Sequence, residues 1–415
     1  MDSKAVKLAT DYEHFAAKGL PDNLEQYVLE NYSLELSSHY GAHPIKNPFG
    51  KASGQLSLAL HQVEKDALAG LGFCVLKTVI AEDAVGEQSM KAWAIPESHM
   101  LVEKITGRRD EVKGEEGWTV TWKGRGWHES FENYIRFFAG AIAVGMERNM
   151  LVVPSCKYHL PSPDEETWKN AEYQYTTQRL LDAWRQSGAN DRYPAMPIEK
   201  DFSPTLAGSD LAQQKRKIRE WLVHAPQLIR TAAGETPISI GVKCFNAMFE
   251  DDFQMEILRM LAQSHKDGDT DFIIYGNRLF DPDKIFEGHK GAAYGGPDLS
   301  ARNLTTLKYF IRQAAEQNIS LPPLCATGNI DSGARAIEYL KLGCSSFQMH
   351  TLFQLPDEWS AMKIGTKTQR ALHLLLFHPQ NGFIAGMLAL REQLSLPNEW
   401  DVGQMAEYFR IELND

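Results

Sequence analysis

The stretch that decides the fold is Cys325-Ala-Thr-Gly-Asn-Ile-Asp-Ser-Gly333, followed shortly by Leu342-Gly-Cys-Ser-Ser-Phe-Gln-Met-His-Thr351. Each stretch has the pattern of a short strand that ends in a polar turn, and a helix is predicted to begin after the first. Backbone N–H groups at such turns and helix starts converge and favour an anion. Two consecutive turns of this kind, late in an α/β chain, are typical of the phosphate site of a (β/α)8 barrel. The alternative is a pair of ordinary βα turns.

Length and composition are those of one large globular enzyme. The chain has 415 residues, more than the roughly 250 of a plain barrel, so we expect extensions or insertions. A hydrophobic content of 43% and a charged content of 23% are ordinary for a soluble protein. The net charge of −11 argues against nucleic acid or an anionic membrane as the partner and favours a small-molecule substrate.

The five cysteines are an odd number and widely spaced, and they form no CxxC motif: Cys74, Cys156, Cys244, Cys325 and Cys344. This spacing predicts neither an iron–sulfur cluster nor a zinc site, and we expect no other metal. The thiols are expected to be reduced in the cytoplasm. We find no apolar run of membrane-spanning length and no signal peptide at the start of the sequence.

Short apolar runs that end in a polar residue alternate with amphipathic segments, which predicts βα units around a parallel sheet. The predicted strands are Leu71–Ile80, Met150–Pro154, Pro237–Lys243, Asp271–Asn277, Leu324–Thr327 and Ser345–Met349. The predicted helices between them include Phe131–Glu147, Ala171–Arg185 and Leu211–Arg230. In such a barrel the functional residues lie at the carboxyl ends of the strands. Lys77, Lys243 and Asn277 occupy such ends.

Three regions are expected. Residues 1–40 form an N-terminal helical extension, 41–356 form the barrel, and 357–415 form a C-terminal helical extension packed on it. The irregular stretch Ala94–Gly126 is rich in Gly, Glu and Lys, and it predicts a loop or β-hairpin over the barrel mouth.

Several motifs, in a fixed order along most of the chain, resemble those of dihydroorotate dehydrogenases and their flavin-binding relatives. These motifs are Asn47–Gly54, Phe73–Thr78, Gly241–Lys243, Asn277, Gly295–Gly296, Thr327–Asn329 and Met349–Thr351. The resemblance implies an FMN-dependent oxidoreductase that acts on CH–CH bonds. The residues it implies for FMN binding are Ala52, Ser53, Gly54, Lys77, Thr78, Lys243, Asn277, Gly295, Gly296, Thr327, Gly328, Asn329, Met349, His350 and Thr351.

The resemblance implies a chemical role for Lys77 and Lys243. Reduced flavin carries negative charge near its N1–C2=O edge, and a lysine at a strand end places a cation there. We expect Lys243 in that role and Lys77 in contact with flavin or substrate, where it would take part in catalysis. The alternative for either lysine is a structural ion pair.

The resemblance also implies a catalytic loop with a Ser or Cys before a Pro, and Glu199-Lys-Asp-Phe-Ser-Pro-Thr205 fits. Ser203 is then the predicted acid–base residue. Because a hydroxyl is a poor base without a relay, Lys200 could assist the proton transfer. The alternatives are that Ser203 belongs to an ordinary turn, or that Cys156 is the base.

The predicted substrate loop departs from the family. The stretch that matches the family's Asn-x-x-Gly-x-x-Asn loop is Thr121-Trp-Lys-Gly-Arg-Gly-Trp127, which keeps the glycine and has neither asparagine. Losing amide partners should weaken binding of a polar ring, so the substrate need not be dihydroorotate. Two tryptophans and two cations would suit an anionic ligand with an apolar face. The predicted substrate-binding residues are Trp122, Lys123, Gly124, Arg125, Trp127, Thr205 and Asn277. A solvated hairpin is the alternative.

Two other classes of function stay open. One is a phosphate-binding barrel lyase or isomerase in which Lys77 or Lys243 forms a Schiff base. The other is a catalytically silent barrel used for ligand binding or assembly, because fold does not fix function. The electron donor or acceptor is not indicated by the sequence. Barrels of this group often pair, so we expect a homodimer.

Overall fold

The computed structural model describes residues 3–94, 100–122, 126–162, 164–202, 211–246, 250–286 and 288–412. Its strands are β1 (Ser38–Tyr40), β2 (His43–Ile45), β3 (Phe49–Lys51), β4 (Phe73–Val75), β5 (Val79–Ile80), β6 (Met100–Thr106), β7 (Glu116–Trp122), β8 (Leu151–Val153), β9 (Ser155–Lys157), β10 (Met196–Asp201), β11 (Ile238–Phe245), β12 (Phe272–Asn277), β13 (Leu279–Phe286), β14 (His289–Tyr294), β15 (Leu324–Thr327) and β16 (Cys344–Met349).

Ten of these strands form one parallel sheet in the order β5-β9-β10-β11-β12-β15-β16-β3-β4-β8. Only Pro154 separates β8 from β9, and β4 and β5 are likewise successive parts of one course of the chain. Because β4 pairs with β8 and β5 pairs with β9, the sheet closes on itself with eight strand positions. The predicted (β/α)8 barrel is therefore confirmed. Strands such as β11 are buried along their whole length, as expected when both faces of a parallel sheet are covered.

A helix follows each barrel strand position. The helices are α1 (Ser3–Lys18), α2 (Leu24–Tyr32), α3 (Leu60–Ala69), α4 (Phe131–Arg148), α5 (Asn170–Gln186), α6 (Leu211–Ala233), α7 (Asp251–Lys266), α8 (Pro297–Glu316), α9 (Gly333–Leu340), α10 (Lys367–Phe377), α11 (Phe383–Leu394) and α12 (Val402–Glu412). Helix α10 packs against α3 and α9, where the eighth barrel helix belongs. The predicted boundary at residue 357 therefore falls between β16 and α10, inside the last βα unit.

Local sequence explains the ends of several helices. Ser130 begins α4 by accepting a hydrogen bond from the backbone N–H of Asn133, and Asn149 ends it in a left-handed conformation with φ of 54°. Thr366 and Gln369 form a capping box at the start of α10. One hydrophobic core extends from Leu8 to Phe409, so both predicted extensions pack on the barrel.

The β1–β2 hairpin closes the amino-terminal end of the barrel. The ring of Tyr40 packs 4.6 Å from that of Phe73 and 4.9 Å from that of Phe272, measured between ring centroids. Its hydroxyl donates a hydrogen bond of 3.1 Å to Glu199 in the barrel interior. The hairpin therefore contacts the buried polar network around Glu199.

Two hairpins cover the carboxyl-terminal mouth. The first, β6–β7, lies within the insert for which a loop or hairpin is predicted. The second, β13–β14, has no counterpart among the predicted elements. Its signals in the sequence are the turn residues Asp281-Pro-Asp283 and Gly288, and Gly288 has a φ of 76°. The two hairpins contact one another through β7 and β14.

Two further observations concern the residues that the structure describes. No helix among them is both apolar and long enough to cross a membrane. They also contain no group of three or more His, Cys, Asp or Glu side chains able to hold a metal ion. All five thiols are free and buried.

Candidate active site

A cavity of about 1070 Å³ lies at the carboxyl ends of the barrel strands. Every residue that the resemblance implies for FMN binding lines it, although these residues come from seven separate segments of the chain. The lining residues of this set are Ala52, Ser53, Gly54, Lys77, Thr78, Lys243, Asn277, Gly295, Gly296, Thr327, Gly328, Asn329, Met349, His350 and Thr351.

The turn after β15 has a backbone that requires glycine. Gly328 has a φ of +102°, and a Cβ there would lie 2.7 Å from the carbonyl oxygen of Gly276. Asn329 follows with a φ of 52°. Ser332 then begins α9 by accepting a hydrogen bond of 3.2 Å from the backbone N–H of Arg335. A left-handed turn that leads into a helix start is an arrangement suited to an anion.

Asn303 of α8 holds this turn in place. Its fully buried amide nitrogen donates hydrogen bonds of 3.0 Å to the carbonyl oxygens of Gly276 and Thr327. The hydroxyl of Tyr339 donates a hydrogen bond of 3.1 Å to the carbonyl oxygen of Gly328. These bonds tie the ends of β12 and β15 together. Sequence reasoning missed Asn303, because a polar residue inside a helix gives no sign of its partners on distant strands.

Lys243 belongs to a buried polar network in the barrel interior. Its Nζ donates to Glu199 Oε1 at 2.9 Å and to Gln348 Oε1 at 3.0 Å, and Gln348 Nε2 donates to Glu199 Oε2 at 3.0 Å. Burial alone would lower the pKa of Lys243, but the charges of Glu199 and Asp201 outweigh it and raise that pKa. An ammonium group has three donors, and two of them are used in these bonds. Lys243 therefore forms a structural ion pair with Glu199 and also places a cation in the cavity wall.

A second charged group lies beside this network. Lys157, at the end of β9, has its Nζ 3.5 Å from Asp201 Oδ2 and 4.3 Å from the centre of the Trp93 ring. The pKa of Lys77 is lowered to about 8, mainly by burial, with Asp201 opposing the shift and Lys157 adding to it. Burial would raise the pKa of Asp201, but Lys157, Lys243 and Lys200 lower it, so this carboxylate is ionised at neutral pH. The sequence analysis did not single out Lys157 or Asp201, and both line the cavity.

Hydroxyl groups and a neutral histidine complete the described part of the wall. Ser53 and Thr78 are joined by a hydrogen bond of 2.8 Å, and Thr78 continues to Ser155 at 3.0 Å. Burial and the cations Arg278, Lys51, Lys77 and Lys243 lower the pKa of His350 to about 3, so its ring is uncharged at neutral pH. A Cβ on Gly54 would lie 2.5 Å from that ring.

Lys200 does not lie where the catalytic-loop hypothesis needs it. The residues Met196–Asp201 form strand β10, so Lys200 points to the opposite side from Glu199 and Asp201. It is fully buried there, and its Nζ donates to the carbonyl oxygen of Asp201 at 3.2 Å and lies 4.4 Å from the ring centre of Phe202. Burial, and then the charge of Lys157, lower its pKa to about 7. A relay through Lys200 into the cavity is therefore not supported by its position.

Cys156 also faces away from the cavity. Its neighbours Ser155 and Lys157 contact cavity-lining groups, so the alternation of β9 directs Cys156 to the helix layer. Burial raises the pKa of its thiol to about 12, which makes the thiolate scarce at neutral pH.

The predicted substrate loop is only partly described. Trp127 is buried: its ring stacks on Phe137 at 5.4 Å, and its Nε1 donates to the carbonyl oxygen of Ser130 at 3.1 Å. It is a core residue, and its position corrects the expectation that it contacts substrate. Trp122 ends β7. The remaining predicted residues Lys123, Gly124, Arg125, Ser203 and Thr205 lie outside the described residues.

Arg278 joins the two hairpins over the cavity. Its guanidinium donates to the carbonyl oxygens of Val120 in β7 and Ala293 in β14. Burial lowers its pKa to about 9, so the group is charged at neutral pH. The β6–β7 hairpin also approaches the start of α8 closely, since a Cβ on Gly296 would lie 2.5 Å from Ile105.

The fold and the cavity define a (β/α)8 barrel with its ligand site at the carboxyl ends of the strands. Among solved structures, the chain is similar to the crystal structure of a dihydroorotate dehydrogenase (DHODH) from Eimeria tenella in complex with ferulenol, with a TM-score of 0.52 and 14% sequence identity. The similarity covers 96% of this chain and 94% of that chain. No family model matches the sequence and no curated protein matches it. At this identity the similarity establishes a DHODH-like fold.

Proposed function

We propose that the chain is an FMN-dependent oxidoreductase that transfers hydride between a CH–CH bond of a small anionic substrate and the flavin. The observation that carries this proposal is the gathering of all the implied flavin residues around one cavity. The cavity combines a glycine turn at a helix start with cationic and hydroxyl side chains. That combination suits a ligand with a phosphate at one end and a polar ring at the other.

The polar residues that line the cavity fit FMN. Gly328, Asn329 and Thr351 lie in the loops after the last two barrel strands, where barrels of this type bind phosphate. Lys77, Lys243 and Asn277 would hold the ring, and Ser53 and Thr78 would add hydroxyl groups. When bound, FMN supplies a hydride acceptor and passes the electrons to a second substrate.

The chain's own residues then have separate tasks. Lys243 holds a positive charge in the cavity wall, but Glu199 neutralises part of it, so its influence on a reduced flavin is smaller than that of an isolated lysine. Ser203, two residues beyond the end of β10, would transfer the proton to or from the substrate carbon. The hairpins joined by Arg278 would exclude water from the cavity.

The substrate is proposed to differ from dihydroorotate. The loop between Thr121 and Trp127 has neither of the two family asparagines, and Thr205 stands where the family has another. Charged groups, Lys157 and Asp201, line the cavity. The polar ring of dihydroorotate would therefore find fewer amide partners here than it does in the family.

Replacing Thr351 by glutamate should empty the flavin site. The new carboxylate would face the phosphate at short range, and like charges within a few ångströms repel strongly when water is excluded. The bound flavin is measured by its absorbance near about 450 nm after gel filtration. The control Thr351→Ser keeps the hydroxyl and should keep its flavin. Full flavin stoichiometry in Thr351→Glu would refute the phosphate assignment.

The lowered pKa of Lys77 favours a second candidate, a barrel lyase or isomerase that forms a Schiff base. A lysine with a pKa of about 8 has a substantial neutral fraction near neutral pH, and the neutral amine is the nucleophile. Under the flavin proposal, borohydride together with small keto acids should add no mass at Lys77, as read by peptide mass spectrometry. Lys77→Arg is the control. A trapped adduct on Lys77 in colourless protein would favour the lyase.

A further inference from the structure

Three buried polar residues lie beneath the turn after β15. Asn246 follows β11, Asn303 belongs to α8 and Tyr339 belongs to α9, and all three side chains are fully buried. They are not among the residues that line the cavity, whereas Gly328 and Asn329 of the turn are. We call these three residues the Asn303 clamp. It supports the cavity wall from the side that a ligand does not reach.

We propose that the Asn303 clamp makes the turn after β15 a site for a phosphate monoester, and that it thereby decides between FMN and riboflavin. Asn303 is a positioning residue in this proposal, because it acts through the backbone of the turn and does not line the cavity. The inference rests on the proposed function for the identity of the ligand. It rests on the turn itself for the phosphate.

The clamp holds carbonyl oxygens of the turn on its buried side. Asn303 Nδ2 donates to the carbonyl oxygen of Thr327 at 3.0 Å, and the hydroxyl of Tyr339 donates to that of Gly328 at 3.1 Å. Both peptide units are trans, and in a trans unit the N–H points opposite to the C=O. The N–H groups of Gly328 and Asn329 therefore point away from the clamp.

These two N–H groups are the donors that an anion needs. Neither donates a hydrogen bond to another residue that the structure describes, and Gly328 and Asn329 both line the cavity. Successive N–H groups in a turn form a concave site for an anion, and the adjoining start of α9 favours negative charge as well. Without the clamp, a carbonyl oxygen could rotate into this site and repel a phosphate.

Further hydrogen bonds fix the orientation of the clamp. Asn246 Nδ2 donates to Asn303 Oδ1, so the amide nitrogen of Asn303 faces the turn. Helix α8 holds the turn a second time through Ser300, whose Oγ accepts a hydrogen bond of 3.0 Å from Asn329 Nδ2. Residues three apart lie on one face of a helix, so Ser300 and Asn303 act on the turn together.

A purely structural role for Asn303 makes a different prediction from a positioning role. Loss of structural support would weaken every ligand of the cavity alike. Loss of oriented N–H groups would weaken only a ligand that carries the phosphate. FMN and riboflavin differ only in that phosphate, so the ratio of their dissociation constants separates the two roles.

Fluorescence titrations of the flavin-free, full-length protein with FMN and riboflavin test the proposal. We expect wild-type protein to bind FMN roughly 100-fold more tightly than riboflavin, or better. Asn303→Leu removes the amide at similar size. It should reduce this preference roughly 10- to 100-fold and leave the affinity for riboflavin near that of wild type. Tyr339→Phe should reduce the preference by a smaller factor, because it releases one carbonyl only.

Thr306→Val is the matched control. Thr306 is also buried, one turn further along α8, and its hydroxyl makes no hydrogen bond to Gly328 or Asn329. This variant should keep the wild-type preference for FMN. If Asn303→Leu loses its far-ultraviolet ellipticity and so fails to fold, Tyr339→Phe against Thr306→Val decides the question.

A preference for FMN that survives in the folded clamp variants overturns the proposal, and so does wild-type protein that binds both flavins equally. If wild-type protein binds neither flavin, inorganic phosphate titrated calorimetrically becomes the probe. Phosphate binding that Tyr339→Phe weakens and Thr306→Val keeps would then refute the proposed function alone. Wild-type protein that binds neither flavin nor phosphate would overturn both proposals.

Discussion

Replacing Lys243 by methionine should lower the free energy of unfolding by about 3–5 kcal/mol, because it leaves a buried carboxylate without its counter-charge. Glu199 is fully buried and its side chain is 0% exposed, so water cannot take the place of the ammonium group. The remaining donors to this carboxylate are Gln348 and Tyr40. Urea denaturation followed by circular dichroism measures the effect.

The second substitution Glu199→Gln should restore most of that loss in the Lys243→Met background. Glutamine keeps an acceptor for Gln348 and Tyr40 while removing the unpaired charge, and buried pairs replaced together are often close to neutral. The matched control is Lys284→Met, which breaks a partly exposed pair with Glu103 and should cost less than about 1 kcal/mol. A Lys243→Met protein as stable as wild type would contradict the ion pair.

The double variant also separates the two roles of Lys243. If its charge acts on bound FMN, the folded double variant should bind FMN with a lower reduction potential than wild type. An unchanged potential would remove Lys243 from the proposed redox chemistry and leave it a structural residue.

Replacing Ser203 by alanine should slow reduction of bound flavin by substrate roughly 10²–10⁴-fold, the usual range for a positioned acid–base group. Flavin content and ligand affinity should remain those of wild type, since no charge or large contact is removed. Stopped-flow bleaching of the flavin absorbance measures the rate.

Cys156→Ala is the matched control for this loss. Its thiol is buried on the helix-facing side of β9 and has a raised pKa, so we expect little change in the rate. A large loss in Cys156→Ala together with a nearly normal Ser203→Ala would place the acid–base group on the third strand position. Rapid bleaching by dihydroorotate would separately favour that compound as the substrate.

The barrel and the glycine turn after β15 could be predicted because local sequence determines them. Strand β15 is an uninterrupted apolar run that ends before Gly328, and the observed bounds Leu324–Thr327 are those predicted. Positive φ at Gly328 is a backbone requirement that glycine itself signals. The glycine turns are therefore readable without knowing which strands are neighbours, whereas Lys243 lies inside β11 and Lys77 lies between β4 and β5 instead of at strand ends.

Strand β10 could not be predicted from its residues. It places Glu199, Lys200 and Asp201 in succession, and three charged residues contradict the apolar pattern of a buried strand. The two carboxylates are compensated by lysines on other strands, Glu199 by Lys243 and Asp201 by Lys157. That compensation exists only after the barrel closes. Without the strand assignment, the sequence could not show that Lys200 points to the opposite side from Glu199 and Asp201.

Trp127 shows a second reason why the sequence alone could not predict the whole site. A tryptophan in a glycine-rich loop resembles a ligand-stacking residue, but its backbone N–H is fixed to the carbonyl oxygen of Thr78 at 2.7 Å. That bond brings the ring back under α4, where Phe137 covers it. Spacing along the chain cannot distinguish a ring that turns inward from one that faces a ligand.

The hydrogen bond from Tyr40 to Glu199 connects the hairpin at the amino-terminal end of the barrel to the ion pair that reaches the cavity. A change in the β1–β2 hairpin alters how firmly Glu199 is held, and through Glu199 it alters the charge that Lys243 presents to the cavity. Substitutions in the β1–β2 hairpin are therefore expected to affect the cavity from the opposite end of the barrel. A survey of mutations confined to the cavity lining would overlook that route.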